Sequence, residues 1–325
     1  MAEGTRTISA RMTGCEDEPG DAHRRGPSAM DRGEGRPIPA LVSVVVPTRS
    51  EARALATQLD CLASQQYSGN WEVVIADNGS NDDSVSVARR AAKRFHRLVI
   101  VDASSRPGAC HARNAGSKAA KGDLLVFCDA DDEVAPGWLA AMASAAGDYD
   151  LLGGWLDRDA LNEGVERSWR PFRAASDDLP VALGFQPYAP SGNCAIWRDT
   201  LEAVGGWNES YRACTDVELS WRALRAGRRI GFVSNAVVRY RFRATLPGLA
   251  RQFFRLGRAE AQLFGDFRVD GLRRNGREAL LSWAWIAVNL PGGAFSRRRR
   301  GFWVRVTARR LGRLWGSARS LVFFP

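Results

Sequence analysis

Regular hydrophobic patterning begins at Leu41. Residues 41–46, LVSVVV, form a short apolar run rich in β-branched side chains and stopped by Pro47, which predicts a strand buried on both faces. Leu55, Leu59, Leu62 and Ala63 follow at helical spacing. WEVVIAD (71–77) predicts a second buried strand, followed by the turn Asn78-Gly79-Ser80-Asn81-Asp82, whose last residues can cap a helix. Val85, Ala88, Ala92 and Phe95 mark that helix, and RLVIVD (97–102) predicts a third strand. A helix near Ala109–Ala120 then leads into a fourth strand, DLLVFCD (123–129). Strands and helices alternating over short connections predict an α/β fold with a parallel, doubly wound sheet. Ligands bind such sheets beyond the carboxyl ends of the strands. Here those ends read Pro47-Thr48, Asp77-Asn78 and Asp129-Ala130-Asp131-Asp132, so three strands deliver polar or acidic groups to one crevice.

Asp129, Asp131 and Asp132 directly follow an apolar strand. Carboxylates this close repel one another, and burying them in part is costly without a cation. A hard oxygen site suits Mg²⁺ or Mn²⁺, shared with substrate phosphates. The same residues would also serve as a cap or turn ahead of Ala135-Pro136-Gly137.

Four segments in order carry a resemblance: VSVVVPTRSE (42–51), VVIADNGSNDDS (73–84), ARNAGSKAAKGDLLVFCDADDEV (112–134) and GGWNESYRACTDVELSWRALRAG (205–227). Over about residues 41–240 the chain resembles a family 2 glycosyltransferase of the GT-A fold, a Rossmann-like, mostly parallel sheet. The resemblance implies a metal-dependent, inverting transfer of a sugar from a nucleotide-diphosphate donor to a hydroxyl of a glycan or lipid-linked acceptor. Pro47, Thr48 and Glu51 would line the base and ribose end of the donor. Asp77 and Asn78 would contact the base, where the family often has two aspartates, so uracil, thymine and guanine all stay open. Arg49-Ser50 replaces the family's usual aromatic-Asn pair. Asp129 would touch the ribose, and Asp131 would hold the Mn²⁺ or Mg²⁺ that bridges the diphosphate. Arg113 would pair with a carboxylate or phosphate near the crevice, or form a structural ion pair.

Asp216 matches the catalytic base of the family's "ED" motif, with Thr215 in place of the usual Glu. An inverting transfer needs one carboxylate to take the acceptor hydroxyl proton, while the metal stabilises charge on the departing diphosphate. Asp216 also suits a plain helix N-cap ahead of Val217, Leu219 and Leu224. Glu218 is the reserve carboxylate. On the acceptor side, Trp207 after Gly205-Gly206 is the aromatic best placed for a sugar, and Asn193 lies in a stretch, Ser191–Cys194, similar to the family's segment beneath the acceptor. His111 has no partner at ligand spacing and is expected to be structural or exposed.

Charge changes the picture at the carboxyl-terminal end. The chain carries a net charge of +10, yet residues 239–325 hold 19 arginines, no lysine and four acids, while the first 238 residues are mildly acidic. Phe253, Phe254, Leu256, Leu263, Phe264 and Phe267 among arginines predict an amphipathic helix over 250–268. A second is expected over 302–322, with Val304, Ala308, Leu311, Leu314, Trp315, Ala318 and Leu321 on one face and Arg305, Arg309, Arg310, Arg313 and Arg319 on the rest. Arginines outside and apolar residues within suit an anionic membrane surface; the alternative is packing onto the catalytic domain with solvated arginine faces. The longest apolar run, Ala279 to Leu290, is too short to span a bilayer, which takes roughly 20 residues. The first 20 residues have no apolar stretch and the six cysteines no CxxC pair, so a reduced, cytoplasmic protein, peripheral at the membrane face, is expected.

These readings divide the chain into a disordered extension (1–38), a catalytic domain (39–245, with a donor half 39–133 and an acceptor half 134–245) and a basic helical tail (246–325). A sugar-phosphate nucleotidyltransferase would need glycines after the first strand, and PTRSEARAL has none. Gln252-Phe253-Phe254-Arg255 matches part of the processive enzymes' QxxRW motif without its Trp, so a processive synthase is not expected. An inactive scaffold, given Arg49, Ser50 and Thr215, and a binder of anionic surfaces or nucleic acid remain as alternatives. No nucleic-acid-binding module is recognisable, and no nucleic acid partner is expected.

Overall fold

Val42, Val44 and Val46 turn to one side of a strand and Ser43 and Val45 to the other, and all five are buried. The same division holds in the second strand, where Val73 and Ile75 oppose Val74, and in the fourth, where Leu124, Val126 and Cys128 oppose Leu125 and Phe127. Alternate side chains therefore feed two cores, one on each face of the sheet, which is why the strands read as continuous apolar runs. The structure is a computed structural model that describes residues 35–164, 169, 178–290, 292 and 296–325. The extension expected at 1–38 thus lies, up to residue 34, outside the described residues, as does most of the Pro291-Gly292-Gly293 break.

In chain order the elements are β1 (Val42–Thr48), α1 (Ala52–Ala63), β2 (Trp71–Asp77), α2 (Ser84–Ala91), β3 (Leu98–Asp102), α3 (Ala109–Ala119), β4 (Leu124–Cys128), β5 (Glu133–Val134) and α4 (Trp138–Ala145). They continue with β6 (Leu151–Asp157), β7 (Val181–Ala182), β8 (Gln186–Pro187), β9 (Asn193–Trp197), α5 (Arg198–Ala203), α6 (Thr215–Arg225) and β10 (Ile230–Arg239). Three long helices close the chain: α7 (Leu246–Phe267), α8 (Gly276–Val288) and α9 (Arg297–Arg319). The main sheet has eight strands in the order β3-β2-β1-β4-β9-β6-β10-β5, and β7 and β8 form a small hairpin. β3, β2, β1 and β4 are mutually parallel, in the register Thr48↔Asp77↔Asp102, so their carboxyl ends share one edge. β9 runs antiparallel between β4 and β6, which makes the sheet mostly rather than wholly parallel. It enters beside Cys128, so Ser191 and Gly192, just before it, land next to Asp129.

β1 does not stop at Pro47 but runs through it to Thr48. Val42 donates to Asn70 and Thr48 accepts from Asn78, both on the β2 side, so by alternation Pro47 faces β4. The β1–β4 ladder has already ended at Val45↔Phe127, and no bond is lost by its missing N–H.

The carboxyl-terminal helices pack on the rest of the chain. On α7, Ala259, Leu263 and Phe267 join Tyr211, Cys214, Val217 and Trp221 in one apolar cluster, with Trp221 and Phe267 edge to face at 5.1 Å. α9 crosses α7 closely: a Cβ on Gly257 would lie 1.9 Å from the Arg309 carbonyl oxygen, and one on Gly312 2.2 Å from that of Phe254. The expected sense of α9 is reversed. Arg305, Arg309, Arg310 and Arg313 are buried, while Leu311, Leu314 and Trp315 face outward. Glu260 of α7, fully buried, explains the inversion: it accepts from Arg309 Nε at 2.8 Å and from Arg313 Nε at 2.5 Å. Arg310 meets Glu278 and Ser282 of α8, and burial among neighbouring arginines lowers its pKa to about 10. No helix of the described residues is long and apolar enough to cross a membrane, and none of the five described cysteines is in a disulfide.

Candidate active site

The loop after β4 is held at both ends by Gln58, a buried residue of α1. Its amide donates to the Asp129 carbonyl at 3.1 Å and accepts from the Val134 N–H at 3.0 Å. Between these points the three aspartates take different roles. Asp129 Oδ1 accepts from Arg113 at 2.7 Å, and its other oxygen lies where a Cβ on Gly192 would come within 2.9 Å. Asp132 is buried; one oxygen accepts from the Arg241 N–H at 2.8 Å and the other has no partner. Asp131 is half-buried, 3.4 Å from Arg243. Burial, and after it the charge of Asp129, hold Asp131 above the usual carboxylate range, and Asp132 is pushed well above it by burial and by both neighbours. Such a cluster favours a cation. Among the described residues no three His, Cys, Asp or Glu side chains converge as a closed cage. A Mg²⁺ or Mn²⁺ site of one or two carboxylates completed by substrate phosphates does not need one, and the residues fit that arrangement.

The edge formed by β1 and β2 is stitched loop to loop. Ser50, at φ 55°, donates from its backbone to Ser80, Glu51 donates to Ser84, and Ala52 to Asp82. Glu51 lies close enough to Asp131 that burial and then that charge raise its pKa. Thr48 is buried, Pro47 is half-buried, and Asp77 closes its own turn by accepting from Ser80 N–H. Asn78 is buried with its amide fully engaged: it donates to Ala103 and Arg106 carbonyls and accepts from Gly108 N–H. Its effect on a base would pass through the shape of the 103–108 loop.

Asp216 sits in the first turn of α6 and is not the N-cap, a place taken by Cys214 at φ 52°. Its carboxylate accepts from the backbone N–H of Ser191 at 3.3 Å and of Val217 at 3.0 Å. Burial raises its pKa, against the opposing pull of those bonds and of Arg113. Asp216 lines two adjoining cavities. One, about 170 Å³, also contains Asp129, Gly192, Tyr188 and Tyr240. The other, about 470 Å³, is walled by Arg212, Arg243, Arg251 and Arg255. Both include Ser191, Cys214, Gln252 and Leu256. Gln252 and Arg255, noted in the sequence only as a partial QxxRW match, lie in this wall beside Asp216.

Three expected residues lie elsewhere. Trp207 is 2% exposed, packed edge to face on Phe127 at 5.2 Å, with the Arg113 guanidinium 4.9 Å above its ring; it supports the floor and lines neither cavity. Asn193 is fully buried, accepting from the Trp138 indole and donating to the carbonyls of Trp155 and Ala236, so it ties β9 to β6 and β10. Glu218 is committed to Arg222 and Asn208. His111 bridges Glu209 and Ser105, a structural role.

A mannosyltransferase from Pyrobaculum calidifontis, solved with GDP-Man and Mn²⁺, matches the fold with a TM-score of 0.62 and 21% identity, over 97% of this chain and 94% of its own. The glycosyltransferase AglE of Haloferax volcanii is 28% identical over 251 residues, 76% of this chain and 80% of AglE. The succinoglycan biosynthesis protein ExoA of Rhizobium meliloti is 28% identical over 241 residues, 71% of this chain and 72% of ExoA. The family model described as Glycosyl transferase family 2 matches residues 43–205, half of the sequence. On that match, over the same β1–β4 edge and the β9 segment that build the site, the chain belongs to glycosyl transferase family 2 and is a glycosyltransferase.

Proposed function

We propose that the enzyme moves a sugar, with inversion, from a nucleotide-diphosphate donor to a hydroxyl of a cell-envelope glycan, polysaccharide or lipid-linked acceptor. The observation that carries this is the position of Asp216: a carboxylate with a raised pKa, open to two adjoining cavities, one of which also holds Asp129 of the donor edge. The names of the relatives support the substrate class, since ExoA belongs to succinoglycan biosynthesis and the mannosyltransferase of similar fold binds GDP-Man and Mn²⁺. Residues 39–133 are read as the donor half, 134–245 as the acceptor half and 246–325 as a helical tail.

In this reading the base and ribose lie along Pro47, Thr48, Glu51 and the turn at Asp77, while Asp129, oriented by Arg113, meets the ribose. Asp131 would hold the divalent ion, whose contribution is positive charge beside the departing diphosphate. Arg243, beside Asp131, adds to that charge. Asp216 takes the acceptor proton as the hydroxyl oxygen attacks the anomeric carbon. The arginine excess of residues 239–325 supports work at the cytoplasmic face of an anionic membrane.

The test is thermal stability with UDP, dTDP and GDP, each with and without Mn²⁺, on wild type, Asp131→Ala and Asp216→Asn. A ligand specific to the folded state raises stability by about 2.7 kcal/mol at a hundred times its dissociation constant. The expected result is a metal-dependent shift for one nucleotide, lost in Asp131→Ala and kept in Asp216→Asn, whose turnover falls by about 10² to 10⁴. No shift with any nucleotide would overturn the donor site.

A further inference from the structure

A helix of a water-soluble protein turns its apolar stripe inward; α9 does the opposite. Leu311, Leu314, Trp315 and Ala318 are exposed on its outer side, Trp315 to 53% and Leu311 to 47%, while Val304 is half-buried and Ala308 packs against the cluster of Leu249 and Phe253. From Val304 to Ala318 that side carries no charge over about 21 Å, at 1.5 Å per residue. Of the arginines of the same stretch, Arg309 and Arg313 point inward to Glu260 and Arg310 to Glu278, while Arg305 is buried over the rings of Phe253 and Phe302. α8, which contacts α9 through Arg310 and through the Trp303 indole, repeats the pattern. It buries Ala279, Ser282 and Ile286 and exposes Leu280 (72%), Leu281 and Val288 (78%).

Charge decides what covers these stripes. Residues 271–325 contain 12 arginines and a single acid, Glu278, which is already paired with Arg310. Exposed arginines flank the stripes: Arg277 at the start of α8, Arg297 and Arg300 at the start of α9, Arg319 at its end. A second copy of this surface would set arginine against arginine. Anionic headgroups over an acyl layer match both the rim and the stripe. We propose that α8 and α9 form an in-plane anchor, Leu280, Val288, Leu311, Leu314 and Trp315 entering the acyl boundary of an anionic membrane while the flanking arginines hold its headgroups. This deepens the membrane reading above but rests on helix packing alone, not on the chemistry at Asp216.

The test is co-sedimentation of the full chain with phosphatidylcholine vesicles and with vesicles that also contain phosphatidylglycerol. Wild type binds the anionic vesicles and is released by salt. Leu311→Gln/Leu314→Gln/Trp315→Gln weakens binding about tenfold or more with the fold retained and only a small drop in Tm, because about half of each replaced side chain faces solvent. Leu280→Gln/Val288→Gln does the same from the other helix, and so serves if the triple variant folds poorly. Arg297→Gln/Arg300→Gln weakens binding to anionic vesicles and flattens the salt dependence. Absence of wild-type binding, or unchanged binding in both apolar variants, overturns the proposal. So does a wild-type dimer in sedimentation velocity that the triple variant dissociates, which would assign the stripe to a second copy. The nucleotide-induced thermal shift reads the donor site separately, so failure of one leaves the other standing.

Discussion

Arg113, buried on α3, donates to Asp129 across 2.7 Å and stands close enough to Asp216 to pull its pKa downward. One guanidinium thus acts both on Asp129 of the proposed donor edge and on the carboxylate proposed as base.

Replacing Arg113 by Gln removes that downward pull. Burial already holds Asp216 above its ordinary range, and a base works only when deprotonated, so activity falls as pH drops through the raised value. In Arg113→Gln the value rises further, and the acid limb of kcat/KM against pH moves to higher pH. A loss of rate with the limb unmoved would show that Arg113 acts only on the donor side.

Gly192→Ala tests the approach of β9 to the donor edge. The backbone there is not in the left-handed region, so alanine is conformationally allowed, but its methyl would lie 2.9 Å from Asp129 Oδ2 and 3.5 Å from Asp132 Oδ2. Asp129 must shift from its bond to Arg113. Nucleotide affinity measured by calorimetry is expected to fall about tenfold, roughly 1.4 kcal/mol, with a small change in Tm.

Much of this site was legible because its signals are local. Continuous apolar runs rich in β-branched residues place the strands, and acids just past a strand end mark the ligand edge of a parallel sheet. Side-chain direction was not legible. Gly205 and Gly206, with φ of 80° and 76°, turn the chain so that the Trp207 ring falls beneath Arg113 rather than into a cavity. The two faces of α9 were also visible, but which face turns inward depends on Glu260, a single carboxylate about 50 residues earlier that no periodicity reports.

Asn193→Leu separates support from contact. Its carboxamide oxygen is the acceptor for the Trp138 indole N–H in a fully buried site, so leucine leaves that donor unpaired along with two carbonyl contacts. A loss of about 1–3 kcal/mol per unsatisfied buried group is expected. Chemical denaturation reads that loss, while kcat/KM of the folded fraction stays near wild type. A selective rise in KM for the acceptor at unchanged stability would restore Asn193 to the acceptor site.

Glu260 is the keystone of the α7–α9 crossing, and its energetics make an asymmetric prediction. It is fully buried between Arg309 and Arg313, on helices brought together by Gly257, Gly312 and Gly316. Removing the carboxylate alone, as in Glu260→Leu, leaves two buried cations facing each other. Breaking a buried pair in this way costs about 3–5 kcal/mol, and at this chain length each kcal/mol lowers Tm by roughly 1–2 °C. Replacing all three, as in Glu260→Leu/Arg309→Leu/Arg313→Met, removes the desolvation cost together with the attraction, so stability should recover to wild type or above it. Differential scanning calorimetry of the two variants distinguishes the outcomes. If the triple variant is as unstable as Glu260→Leu, the arginines hold α9 through their stems and carbonyl contacts rather than through charge, and the inward turn of that face needs another cause.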